Sequence, residues 1–240
     1  TPLAYAHTMV DYIPLAMEYG KLGGLDHTAT LINKIRSDRG EDKVLLLDGG
    51  DTWQGSYTSL KTQGEDMVEL MKALGTEAMV GHWEFTLGQA RVNELIEKTG
   101  YPFLGGNVFD TEWDEPVLDP FIIRQIGNLK VALVGFTYPW TALTSAVAGS
   151  AGEFKFGIKE NLAIDLIEEI RETENPDLII FVSHGGFGFD QKLARRVDGI
   201  DIYLSGHTHD EIYDPVVWNN TILFQGGAHG KWVVSLDAFV

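Results

Sequence analysis

Leu178-Ile179-Ile180-Phe181-Val182-Ser183-His184-Gly185-Gly186 is an unbroken apolar run that ends on a histidine and two glycines. Five large apolar residues in a row, without alternation, predict a strand covered on both faces. Residues 162–170 ahead of it carry apolar side chains at helical spacing, and Pro176 separates that helix from the strand. Behind it, Ile202-Tyr203-Leu204 repeats the pattern and runs into Gly206-His207-Thr208-His209-Asp210. Strand alternating with helix, each strand ending in a small polar loop, predicts an α/β architecture.

Outward from this unit the same grammar continues. Val44-Leu45-Leu46-Leu47, Ala78-Met79-Val80 and Val131-Ala132-Leu133-Val134 read as further buried strands, and residues 29–35, 67–74 and 92–96 as helices. Gly64-Glu65-Asp66 and Gly157 stand near helix starts. The tail differs: Val216-Val217-Trp218, Asn219-Asn220 and Ile222-Leu223-Phe224 spell a hairpin with its turn at the Asn pair. Trp232-Val233-Val234-Ser235-Leu236 predicts one more antiparallel strand, so the sheet is expected to be mixed. Residues before Gly24 form a weakly amphipathic segment, read as a surface insertion. With no repeat, low-complexity tract or linker, residues 1–240 read as one domain.

Composition narrows the function. The 240 residues carry 35 acidic and 18 basic side chains, a net charge of −17. Such a field repels phosphate backbones and argues against nucleic acid as a partner. A small anionic substrate would need a concentrated local positive charge, which bound divalent metals would supply. There are no cysteines, which excludes disulfides, thiolate zinc sites and cysteine nucleophiles. No apolar run approaches the ~18 residues of a membrane span, so no membrane association is expected.

Four of the seven histidines lie in short Gly- or Ser-flanked loops directly after an apolar strand. They are His82 in Gly81-His82-Trp83-Glu84-Phe85, His184, and the pair His207 and His209. Asp51 does the same in Asp48-Gly49-Gly50-Asp51. Ligands of open α/β sheets bind beyond the carboxyl ends of strands, and five coordinating groups arrive there from four strands. Imidazole with carboxylate suits borderline divalent ions, and the glycines let the chain turn tightly beside them. A carboxylate can bridge two ions, which makes Asp51 the candidate bridge. A single histidine after a strand is more often a packed loop residue, so the weight rests on the constellation. His7, His27 and His229 lack the pattern and read as structural, although His229 could line the pocket. Asp48 reads as a turn-forming residue.

The ordered series Gly49-Gly50-Asp51, Gly81-x-x-Glu84-Phe85, His184-Gly185 and Gly206-His207-Thr208-His209 resembles the calcineurin-like metallophosphoesterases, specifically their 5′-nucleotidase and UDP-sugar hydrolase branch. From Lys21 onward the resemblance covers nearly the whole chain. It implies an αββα sandwich with mixed sheets. The nucleotidases read Gly-Asn-His-Glu-Phe in the second motif, so here His82 holds the Asn ligand position and Trp83 that of the catalytic His. Gly81-His82-Trp83-Glu84-Phe85-Thr86 is similar to the SoxB-type thiosulfohydrolases of that branch, as are residues 19–24 and 48–56. This resemblance implies two divalent ions, manganese in SoxB-type enzymes, with Trp83 and Glu84 at the catalytic positions. One ion would take Asp51, His82, His184 and His207. The other would take Asp51, His209 and two ligands from an Asp-x-His strand that nothing before Gly23 matches. It further implies a periplasmic hydrolase that releases sulfate from a cysteine S-thiosulfonate on the sulfur carrier SoxYZ. A C-terminal substrate domain is expected beyond Val240, so the chain reads as an internal fragment. Two other readings stay open, a 5′-nucleotidase-like phosphohydrolase that tolerates Trp83 and a metal-binding module without turnover.

Overall fold

The computed structural model describes residues 23–144 and 151–239, together with Met17 and Gly20. His7, most of the segment read as a surface insertion and Lys21-Leu22 lie outside the described residues.

In chain order the elements are α1 (Leu25–Arg39), β1 (Leu47–Asp48), α2 (Tyr57–Thr62), α3 (Glu65–Ala73), β2 (Ala78–Met79), a 3-10 turn (Trp83–Leu87) and α4 (Gln89–Thr99). Then come β3 (Val108–Asp110), β4 (Phe121–Ile126), β5 (Leu129–Phe136), α5 (Thr141–Thr144), β6 (Phe154–Phe156) and α6 (Glu160–Thr173). The chain closes with β7 (Leu178–Ser183), α7 (Phe187–Ala194), β8 (Ile202–Ser205), β9 (Val216–Trp218) and β10 (Thr221–Gln225).

Six strands form one mixed sheet in the order β4-β5-β7-β8-β10-β9. The four inner strands are parallel, and β4 and β9 close the edges antiparallel. β1 and β2 form a separate parallel pair, and β3 and β6 an antiparallel one. Period-two alternation sends β5 side chains to opposite faces. Ala132, Val134 and Phe136, with Phe181 and Tyr203, pack under α6 and α7 through Leu166, Ile167, Ile170 and Leu193. Val131 and Leu133, with Ile180 and Val182, turn the other way onto Ala78, Val80 and Leu104. Met79 reaches the far side of the pair β1/β2 and meets Val68 of α3 and Val92 and Leu95 of α4. The layers therefore run helix, sheet, sheet, helix, as the resemblance implied, with a two-stranded second sheet. Full burial of one such Phe or Leu is worth ~1.5–3 kcal/mol, and β7 is buried on both faces.

Register is what positions the site. Phe136 pairs with Ser183, Ser183 with Ser205, and Ser205 with Gln225. The parallel strands thus end in one row, and Tyr138, His184 and His207 leave it side by side. Asp48 pairs with Met79 in the second sheet, which aligns the Asp51 and His82 loops at the same edge.

One expectation fails. Residues 232–236 do not form a strand. Trp232, Val234 and Leu236 are exposed, and among the described residues no strand pairs with them. An apolar alternation without a ladder partner has no inter-strand hydrogen bonds to fix it as a strand. No helix among the described residues is long and apolar enough to cross a membrane.

Candidate metal centre

The β1 loop is built first. Asp48 Oδ1 accepts from the Gly50 N–H at 3.0 Å and from the Thr52 hydroxyl at 2.8 Å, which is the turn-forming role read from sequence. Burial lifts the Asp48 carboxyl to about 6. At Gly50, φ is +90° and an added Cβ would lie 3.0 Å from His184 Nδ1, so only glycine lets the two loops approach.

Glu84 organises the β1 and β2 loops together. It is wholly buried. Its Oε1 accepts from the N–H groups of Thr52 and Trp53 at 2.6 and 3.2 Å, and its Oε2 from those of His82 and Asp51 at 2.8 and 3.3 Å. A carboxylate so occupied has no lone pair left over, so Glu84, expected at a catalytic position, holds the two loops together here. Trp83 is half-buried. Its backbone N–H donates to Asp51 Oδ1 at 3.1 Å, and its ring meets that of His82 edge-on at 5.7 Å.

Asp51, His82, His184 and His207 each present one ligand atom, all within 4.8 Å of one another. Two ligands at ~2.1 Å from one ion lie at most about 4.2 Å apart, so a span of up to 4.8 Å would need to tighten by about 0.6 Å around an ion. The nitrogen chemistry supports the same reading. His184 Nδ1 faces the Gly49 carbonyl, which only accepts, so Nδ1 carries the proton and Nε2 is the lone-pair nitrogen. That nitrogen lies 3.0 Å from Asp51 Oδ2. Two acceptors that close need a proton or a cation between them. His82 Nδ1 lies 3.0 Å from Asp51 Oδ1 but makes no hydrogen bond. His207 Nδ1 is also buried without a hydrogen-bond partner. Orphaned imidazole nitrogens around one carboxylate fit a divalent ion.

The charges agree. Burial alone would raise the Asp51 carboxyl, but contact with His184 and His82 holds it well below the usual carboxylate range. Burial opposes protonation of His184, yet Asp51 and Gly49 outweigh it and its pKa rises. His207 falls to about 4 through burial and then the neighbouring His184 and His82.

Four of the five expected ligands therefore converge. His209 lies outside that group, its ring 5.2 Å from that of His229. His229, read as structural with a pocket role left open, thus flanks an expected ligand. His27 is on the surface, its ring nitrogen 3.2 Å from the Gly23 carbonyl. Two residues escaped the sequence reading. The ring of Tyr138 stacks on His207 at 4.0 Å and lies 4.5 Å from that of His82. Asp190, buried in the first turn of α7, lies beneath the β7 and β8 loops. Tyr138 had a signal, since it follows an apolar strand as the histidines do. Asp190 had none.

No family model matches the chain. The Thermus thermophilus sulfate thiohydrolase SoxB superimposes with a TM-score of 0.86 and 35% identity, covering 96% of this chain and 43% of that one. A snake venom 5′-nucleotidase from Gloydius brevicauda is 31% identical over 204 residues, 80% of this chain and 32% of its own length. The calcineurin-like phosphoesterase YfkN of Bacillus subtilis shares the fold with a TM-score of 0.71 at 22% identity, over 87% of this chain and 74% of that one. The chain thus spans about a third of the curated relative. In fold it is a calcineurin-like phosphoesterase domain, and in sequence it is similar to SoxB and to the 5′-nucleotidases.

Proposed function

We propose that this domain is the metal-binding part of a periplasmic thiosulfohydrolase that cleaves the S–S bond of a cysteine S-thiosulfonate on a carrier protein such as SoxYZ. Water would add to the terminal sulfonate sulfur, sulfate would leave, and the remaining sulfur would stay on the carrier as a persulfide. Asp51, His82, His184 and His207 would hold one divalent ion, and Asp51 with His209 would contribute to a second, manganese in both. Such ions lower the pKa of water and neutralise developing charge.

The chain's own part is to place these groups. Glu84 fixes the Asp51 and His82 loops, the Gly49 carbonyl sets the tautomer of His184, and Tyr138 covers one side of His207 against water. One observation favours the sulfur substrate over a nucleotide: the Trp83 indole packs edge-on against His82, where the nucleotidase motif has a histidine. A phosphoryl dianion benefits from a nearby cationic donor. A sulfonate carries less charge, and the leaving group, the carrier's persulfide, is a sulfur anion far less basic than an alkoxide, free thiols titrating at about 8.5. The likeness to a sulfate thiohydrolase across 96% of the chain supports the same reading.

The nucleotidase relatives keep a second reading in play, since the metal ligands would serve either substrate. The full-length protein, loaded with Mn²⁺, is assayed for sulfate release from thiosulfonate-loaded carrier and for phosphate release from a nucleoside monophosphate. Turnover of the carrier alone is expected. Brisk nucleotide hydrolysis with none on the carrier would overturn the proposal.

A further inference from the structure

We infer that Asp190 is a positioning residue that clamps the carboxyl ends of β7 and β8 together and so sets the spacing of His184 and His207. The inference rests on the metal-centre reading above. Asp190 is wholly buried. Its Oδ1 accepts from the Ser183 hydroxyl at 2.7 Å and from the Tyr203 hydroxyl at 3.0 Å, and its Oδ2 from the Ser205 hydroxyl at 2.5 Å. Ser183 immediately precedes His184, and Ser205 stands two residues before His207. Ser183 and Ser205 are also register partners, so one carboxylate grips both strands at the rung where the ligand loops depart.

The surroundings are shaped to this group. A Cβ on Gly185 would lie 2.4 Å from the Phe189 ring and 2.5 Å from Asp190 Oδ1, so glycine is needed beside the clamp. The Gly185 N–H also donates to the Ser183 hydroxyl at 3.0 Å, which extends the grip into the loop. On the β8 side, Thr208, between the two histidines, accepts from the Phe187 N–H of α7 at 3.0 Å. A buried carboxylate satisfied only by neutral hydroxyls is an expensive way to fill a core. A hydrophobic side chain would serve plain packing as well or better. Glu84 makes the same arrangement for the other two loops, joining that of Asp51 to that of His82. Each pair of loops thus has one buried carboxylate joining it.

Asp190→Asn in the full-length protein tests this. It keeps the shape but replaces one accepting oxygen with a donor. Mn²⁺ affinity of the metal-free protein, by calorimetry, is expected to fall by about tenfold or more, the scale of lost outer-shell support. Activity should recover in excess Mn²⁺, which damage to folding alone would not allow. The control is Ile167→Val in α6, buried under the same sheet face, which should lower thermal stability and leave affinity unchanged. Should the Asn variant not fold, Ser205→Ala removes one donor, keeps the carboxylate, and should weaken Mn²⁺ binding in the same direction. Wild-type affinity in whichever variant folds, or a loss no larger than that of Ile167→Val, would overturn the clamp. Failure of the unmodified protein to bind any divalent ion would instead overturn the metal centre itself.

Discussion

Trp83 and Glu84 are neighbours with opposite roles. The indole meets the His82 ring while the Glu84 carboxylate is wholly buried. If Trp83 stands where phosphoryl transfer needs a donor, Trp83→His in the full-length protein should raise phosphomonoesterase activity about tenfold, or ~1.4 kcal/mol of transition-state stabilisation. Thiosulfonate hydrolysis should fall or stay level. Unchanged phosphatase activity in a variant that still binds metal would remove Trp83 from the specificity argument. Glu84 makes a stability prediction. Glu84→Gln turns one accepting oxygen into an NH₂ facing two backbone N–H groups, and each buried group left unpaired costs ~1–3 kcal/mol. A loss of about 3 kcal/mol in denaturant titration is expected, and a loss below ~1 kcal/mol would show that the loops do not depend on it. At this scale the converging Asp51, His82, His184 and His207 were legible because each follows an apolar strand. The role of Glu84 was not, because a motif records that a carboxylate is present and not which way it faces.

Among the elements, the tail hairpin was the clearest in the sequence, and its geometry explains why. Asn219 and Asn220 have φ of +46° and +68°, the left-handed pair that a two-residue turn between twisted strands requires. Asn220→Ala should therefore cost ~1 kcal/mol, whereas Asn220→Gly should be neutral within ~0.5 kcal/mol. Equal stability of the Ala and Asn forms in urea titration would mean that the turn is not held left-handed. The buried inner strands were legible for a different reason, since β7 has no polar residue until Ser183. β4 was missed because Arg124 and Gln125 interrupt its apolar pattern at a sheet edge. α2 is six residues long and α7 eight, too short to show a helical period. Residues 232–236 misled in the other direction. Alternation marks what could pair, and pairing depends on a partner that a local pattern does not contain.

The whole chain resolves a conflict that composition raised. A net charge of −17 attracts divalent cations and repels anionic substrates, so ions at the loop edge would answer both terms. That edge also carries backbone strain. Asp51, His207 and His209 have φ of +62°, +75° and +60°, each a conformation costing ~1–3 kcal/mol for such a residue. The strands behind them are buried and regular, so bound metal should stabilise the loops far more than the sheets. Metal at about a hundred times its dissociation constant contributes ~2.7 kcal/mol. For a domain of this size that is a thermal shift of roughly 5–10 °C. Chelation of the loaded full-length protein should lower its Tm by that amount, and Mn²⁺ should restore it. Amide exchange should quicken at residues 49–53, 82–87, 184–186 and 206–210, while residues 131–134 and 179–182 keep their protection. Loss of protection spread evenly over loops and strands would mean that the ion supports the fold as a whole. No change in a protein verified to have lost its metal would mean that the ion sits elsewhere.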